Sequence, residues 1–196
     1  MRAEHCLPLS VRVNDTEQGP LASIYRGIEK ACELQSVEYV QGDKTSLWHF
    51  FKSTQFWKND ILLTPVLILD QFEELFTLHL EQQRGAFLDQ FSNLVRGVRP
   101  KLAEPQSTLS SEEGASYSDS APPVKIIISL REDFLAQLEE ISDRIPGILD
   151  QRFRLLPLGR EAASKAMDTP AGIEVHRLPQ GRFRSTPRRE TPFSIF

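Results

Sequence analysis

The chain has 196 residues, enough for one domain with a sizeable core. Its composition, 40% hydrophobic and 26% charged with a net charge of −4, is that of an ordinary globular protein and offers no general affinity for nucleic acid or other polyanions. No apolar run approaches the length of a membrane span, no signal peptide opens the chain, and Cys6 and Cys32 follow no metal or redox spacing, so a reduced, cytoplasmic protein without membrane attachment is expected.

Leu7-Pro8-Leu9-Ser10-Val11-Arg12-Val13 is the first strand candidate, with Pro8 placing it at an edge or near a strand start. Gly19-Pro20 then opens a helix in which Leu21, Ile24, Tyr25, Ile28, Ala31 and Cys32 recur at helical spacing. Cys32 is read as a core residue. Gly42-Asp43-Lys44-Thr45 has a superficial likeness to the end of a GxxxxGK[ST] phosphate loop. Asp43 separates the glycine from the lysine, however, and Val37 stands where the first glycine belongs. The segment is read as a turn into a helix from Ser46 to Thr54 with Leu47, Trp48, Phe50 and Phe51 on its apolar side.

Val66-Leu67-Ile68-Leu69 is an unbroken aliphatic run, the pattern of a strand buried on both faces in a parallel sheet. Asp70, Glu73 and Glu74 follow at once. In open α/β sheets the carboxyl end of a strand is where ligands bind. Three carboxylates there repel one another unless a cation compensates, and Mg²⁺ suits one or two carboxylates together with phosphate oxygens and water. The competing reading is structural, with Asp70 as a helix N-cap and the glutamates favoured in the first turn by the macrodipole.

Glu81 to Val98 carries Phe87, Leu88, Phe91, Leu94, Val95 and Val98 as an amphipathic stripe, stopped by Pro100. Residues 99–123 hold four prolines and six serines with little apolar content, and read as a flexible loop inserted between two strands. Val124 to Leu130 is the second strong strand and ends at Arg131-Glu132-Asp133-Phe134. A guanidinium at that strand's carboxyl end is suited to the terminal phosphate of a nucleotide; alternatively it pairs with Glu73, Glu74 or Asp133. Glu132 or Asp133 begins a further helix through Leu138 and Ile141. Arg152 to Leu158 is a last short strand, and Arg160-Glu161-Ala162-Ala163 starts the helix after it. Residues 177–196, with five arginines and three prolines in no period, read as a disordered tail.

Asp70-Gln71-Phe72-Glu73-Glu74 after four aliphatics resembles the Walker B box of STAND-class P-loop NTPases, specifically the bacterial novel STAND group. Ser129-Leu130-Arg131 resembles that class's sensor 1 segment, and the run from Phe153 through Pro157-Leu158 to the Glu-Ala helix and Thr169-Pro170-Ala171 is similar as well. The likeness spans residues 5 to 175 or so. It implies a three-layer, P-loop NTPase-like (ASCE) α/β fold with a parallel sheet in the order 5-1-4-3-2 and flanking helices. Residues 7–13, 66–70, 124–130 and 153–157 would be its second to fifth strands. The first strand and its Walker A loop would lie before residue 1, so residues 1–176 are expected to be a partial STAND domain from a truncated or fragmentary gene, and a marginal monomer with unpaired strand edges.

The roles that the resemblance implies are Asp70 for Mg²⁺ and nucleotide, Glu73 or Glu74 for the attacking water, and Arg131 for the γ-phosphate. The implied cofactors are ATP and Mg²⁺, and the implied partners are nucleotide together with other proteins or further copies of the chain. Complete relatives use ATP to switch between closed and oligomeric signalling states. With no Walker A motif in these residues, ATP hydrolysis by this chain alone is not expected. Two other readings stay open: a non-catalytic protein-interaction module on the same fold, and a metal-dependent phosphohydrolase using the three acids alone.

Overall fold

The computed structural model describes residues 5–100, 118–145 and 147–155. Of these, residues 5–152 fall in one compact unit and Phe153–Leu155 in a second. The elements in chain order are β1 (Cys6–Val11), α1 (Pro20–Gln35), β2 (Glu38–Val40), α2 (Leu47–Ser53), β3 (Gln55–Lys58), β4 (Ile61–Leu69), α3 (Glu74–Leu78), α4 (Glu81–Arg96), β5 (Lys125–Ile128) and α5 (Leu135–Glu140), the last entered through a 3-10 turn at Glu132–Phe134.

β4 is the centre of the sheet. It pairs in parallel with β1, Leu9 opposite Leu67 and Val11 opposite Leu69. It also pairs in parallel with β5, Leu69 opposite Ile128. This places the second, third and fourth expected strands side by side in the expected order. The alternation of β1 sends Leu7, Leu9 and Val11 into the core while Cys6, Pro8 and Ser10 stay exposed. Leu67 and Leu69 of β4 and Ile126 and Ile128 of β5 share that core with Ile24, Ile28 and Cys32 of α1 and with Phe87, Phe91 and Leu94 of α4. α1 lies close on β1 because Gly27 has no side chain there: a Cβ at that position would stand 2.7 Å from Val11 Cγ2.

The helix ends follow from their capping residues. Ser46 Oγ accepts from the His49 amide at 3.2 Å and starts α2. Gly97, at φ 64°, closes α4, with the Val98 amide donating to Asn93 O at 3.0 Å. The Gly42–Thr45 segment is a turn, as expected. Its Gly42 and Asp43 amides donate to Thr54 Oγ1 and Ser53 Oγ at 3.1 and 2.8 Å, Asp43 accepts from the Thr45 amide, and Lys44 pairs with Glu29 at 3.1 Å. Those amides are used within the fold and none is presented as a phosphate cradle.

Two expectations are corrected. The sheet is mixed, not parallel: β2 pairs antiparallel with β3, and β3 antiparallel with β4 through Ile61–Leu63. Asn59 and Asp60, at φ 50° and 61°, form the two-residue hairpin loop that this pairing requires. Pro65 falls between the part of β4 that pairs with β3 and the part, from Val66 on, that pairs with β5. It has no N–H to offer and none is needed there. The second correction is that Phe153–Leu155 carry no strand, and Phe153 and Leu155 are exposed. The remainder of the expected last strand, the helix from Arg160, most of the 99–123 loop and the 177–196 tail lie outside the described residues. Among the described residues β5 has a strand partner on one side only. None of the described helices is long and apolar enough to cross a membrane.

Candidate functional site

The acidic stretch sits where β4 ends. The Asp70 amide donates to Val11 O at 2.9 Å, tying the end of β4 to the end of β1. On the other side the Ser129 amide donates to Leu69 O and the Phe72 amide to Ser129 O, both at 2.9 Å. The turn after β4 is thus fastened to both neighbouring strands. Gln71 takes a left-handed φ of 53°. The reversal drops Phe72 into the core at 0% exposure, against the rings of Phe76, Phe87 and Phe91 at centroid distances of 5.8, 6.3 and 6.2 Å. With Phe72 anchored inward, Asp70, Glu73 and Glu74 are left at the carboxyl edge of the sheet, at the start of α3.

Arg131 follows β5 at the same edge. Its amide donates to Glu73 Oε2 at 3.3 Å, so the two turns are joined through a carboxylate. Its guanidinium is turned to its own segment: Nη2 donates to Asp133 Oδ2 at 2.7 Å, and the group lies 5.7 Å from the centroid of the Phe134 ring. Asp70 and Arg131 therefore share a rim, on adjacent parallel strands, but the pairing of Arg131 is with Asp133, one of the partners foreseen from sequence.

The cation beside Asp70 is one that sequence reasoning missed. Arg12 Nε lies 3.6 Å from Asp70 Oδ2, and both side chains are partly exposed. The parallel register makes the pair: Val11 stands opposite Leu69, which puts the next residue of each strand side by side. His79 was missed too. It is buried just past α3, with Nε2 donating to Val13 O and Nδ1 without a hydrogen-bond partner. Glu74 has one buried oxygen, Oε2, without a partner. Burial raises its pKa above the ordinary value, the positive charge of Arg12 works against that shift, the neighbouring carboxylates of Glu73 and Asp70 add to it more weakly, and His79 opposes it slightly.

The three carboxylates do not converge. Glu73 is turned to the Arg131 amide and Asp70 to Arg12, and among the described residues no group of three or more His, Cys, Asp or Glu side chains is placed to hold a metal ion. A resident ion caged by protein alone does not fit, and the reading of a phosphohydrolase built on the three acids loses its basis. Mg²⁺ carried in by a phosphate ligand does fit, because such an ion takes only one or two protein carboxylates and completes its shell with phosphate oxygens and water. Asp70, Glu73 and Glu74 are all part-exposed there, so the rim offers a carboxylate to such an ion.

Neither a comparison with curated proteins nor one with solved structures finds a match. A comparison with protein-family models gives one over residues 8–185, described as Novel STAND NTPase 1. The match takes in most of β1, the acidic turn after β4 and the Arg131 segment after β5 together, and the chain belongs to the Novel STAND NTPase 1 family.

Proposed function

We propose that this chain is the part of a STAND nucleotide-binding domain that handles the metal and the terminal phosphate of ATP. In this reading Asp70 takes the Mg²⁺ of Mg-ATP. Bound there, the ion would neutralise phosphate charge. Glu74 orients and deprotonates the attacking water, since burial raises its pKa and a raised pKa makes a carboxylate a stronger base; Glu73 is the alternative, and in the present geometry steadies the Arg131 turn. Arg131 exchanges Asp133 for the terminal phosphate. In the intact protein, ATP binding and hydrolysis drive a signalling switch.

The observation that carries the proposal is the placement of Asp70 and Arg131 past the ends of adjacent parallel strands, at one rim. The 196 residues contain no GxxxxGK[ST] motif, and the amides and lysine of that motif supply much of the phosphate binding in such enzymes. We therefore expect these residues alone to bind Mg-ATP weakly and not to turn it over. The missing motif also favours the second reading, a non-catalytic interaction module on the same fold. Calorimetry with Mg-ATP on the chain and on Asp70→Ala separates the two. Binding that is lost with Asp70 supports the nucleotide site; no binding, or binding indifferent to Asp70, supports the interaction module.

A further inference from the structure

The ion pair at the rim assigns Arg12 a regulatory role that rests on the nucleotide-site reading. We infer that Arg12 is a built-in counter-cation for Asp70, holding its carboxylate until a divalent ion arrives and leaving it when the ion binds.

The proximity is imposed by the backbone. Val11 and Leu69 are register partners, and the Asp70 amide bonds to Val11 O, so residues 12 and 70 leave their strands together. The pair itself is loose: Nε stands 3.6 Å from Oδ2, with the side chains 49% and 39% exposed. A two-pronged, buried guanidinium–carboxylate pair would close the site, whereas an exposed pair at this distance is weak and reversible.

The two cations exclude each other. Mg²⁺ binds carboxylate oxygen at about 2.1 Å, which would bring it within ~6 Å of the guanidinium as it now stands. Like charges at that distance repel, and both claim the same carboxylate lone pairs. Arg12 has somewhere to go. It also lines an open groove of about 570 Å³ between β1 and α1, together with Ser10, Asn14, Arg26 and Lys30. Arg26 is already held there by Asp15 and Gln18, so the groove is not uniformly repulsive to a further guanidinium. The consequence is that metal affinity is held down by the work of releasing Arg12, and Asp70 does not stand as an uncompensated charge beside Glu73 and Glu74 when no ion is present.

The test follows the Arg12 Nε–H resonance by ¹⁵N NMR on the whole chain, assigned with Arg12→Lys, and measures binding of Mg²⁺ alone by calorimetry. Asp70→Asn and saturating Mg²⁺ should move the Arg12 resonance in the same direction, to the position of an unpaired guanidinium. Arg12→Gln should tighten Mg²⁺ binding by about twofold to fivefold, the range set by an exposed pair. Arg12→Lys, which keeps the charge, should stay near the wild-type affinity. Mg²⁺ binding that depends on Asp70 while the Arg12 resonance stays still, or an Arg12→Gln affinity equal to or weaker than wild type, overturns the inference and leaves the nucleotide site standing. Where Asp70-dependent binding is seen with Mg-ATP but not with Mg²⁺ alone, the Arg12 resonance is followed at saturating Mg-ATP, and its failure to move overturns the inference; no Asp70-dependent binding of either removes both.

Discussion

The amide of Phe72 donates to the carbonyl of Ser129 at 2.9 Å, so the turn that bears Asp70 is fastened to the one that bears Arg131. The Phe72 ring supplies the other half of that fastening, fully buried among Phe76, Phe87 and Phe91. Phe72→Ala should lower stability by about 3–5 kcal/mol in urea unfolding, as a lost aromatic in a closed core does. A loss below about 1 kcal/mol, the size of an ordinary substitution, would mean that the ring does not anchor the turn.

Gln71 holds a left-handed backbone with φ 53°. A side chain there is strained, and glycine relieves the strain while adding freedom to the unfolded chain. Gln71→Gly should therefore change stability by no more than about 1 kcal/mol in either direction. Gln71→Val, β-branched where φ must be positive, should cost about 1–3 kcal/mol. Equal thermal unfolding midpoints for the two variants would contradict the conformation.

Gly27 and Gly85 should respond in opposite ways to the same change. Both lie inside helices, where alanine is ordinarily better by about 1 kcal/mol. A Cβ at Gly85 meets nothing within 4 Å, so Gly85→Ala should stabilise by about that amount. A Cβ at Gly27 runs into both methyls of Val11, and Gly27→Ala should destabilise by about 1–3 kcal/mol. Val11→Ala on the Gly27→Ala background should recover part of the loss, because it removes those methyls. If Gly27→Ala is as stabilising as Gly85→Ala in chemical unfolding, α1 does not sit this close to β1.

Asp15 gives an acid-side prediction. The Gln18 amide, donating to its carboxylate at 2.8 Å, is the main cause holding its pKa below the ordinary 3.8; burial opposes it, and the Arg26 guanidinium and the Glu17 amide each add a lesser lowering. The folded state thus binds this proton less readily than the unfolded state. The resulting stability is fully present above the unfolded pKa and is lost as pH falls through the lower folded value. Urea unfolding of Asp15→Asn should show a flatter decline below pH 3.8 than the wild type. Parallel declines for the two proteins in that window would show that the carboxylate is not held in this way.

What could be read from the residues is uneven, and the unevenness has causes. Long periodic segments were legible: Ile24, Ile28 and Cys32 of α1 and Phe87, Phe91 and Leu94 of α4 lie buried as their spacing predicts. The aliphatic runs of β4 and β5 gave away the parallel centre of the sheet. The antiparallel addition did not show, because β2 and β3 are three and four residues long, too short for a period, and their hairpin turns on Asn59-Asp60 and lacks the glycine that usually marks such a loop. Of the site, Asp70, Glu73, Glu74 and Arg131 were visible as charged residues directly after buried runs. Arg12 and His79 were not, since each gains its meaning from a neighbour far along the chain: Asp70 for the first, Val13 O for the second.

The chain's own order of residues thus determined which groups come to the carboxyl rim, because a side chain's place at a strand end follows from local pattern. Only the folded structure decided how those groups are shared: Asp70 with Arg12, the Arg131 amide with Glu73, the Arg131 guanidinium with Asp133. The physical reason is that a charge takes whichever opposite charge or amide lies within a few ångströms, and here strand register and the burial of Phe72 set those distances.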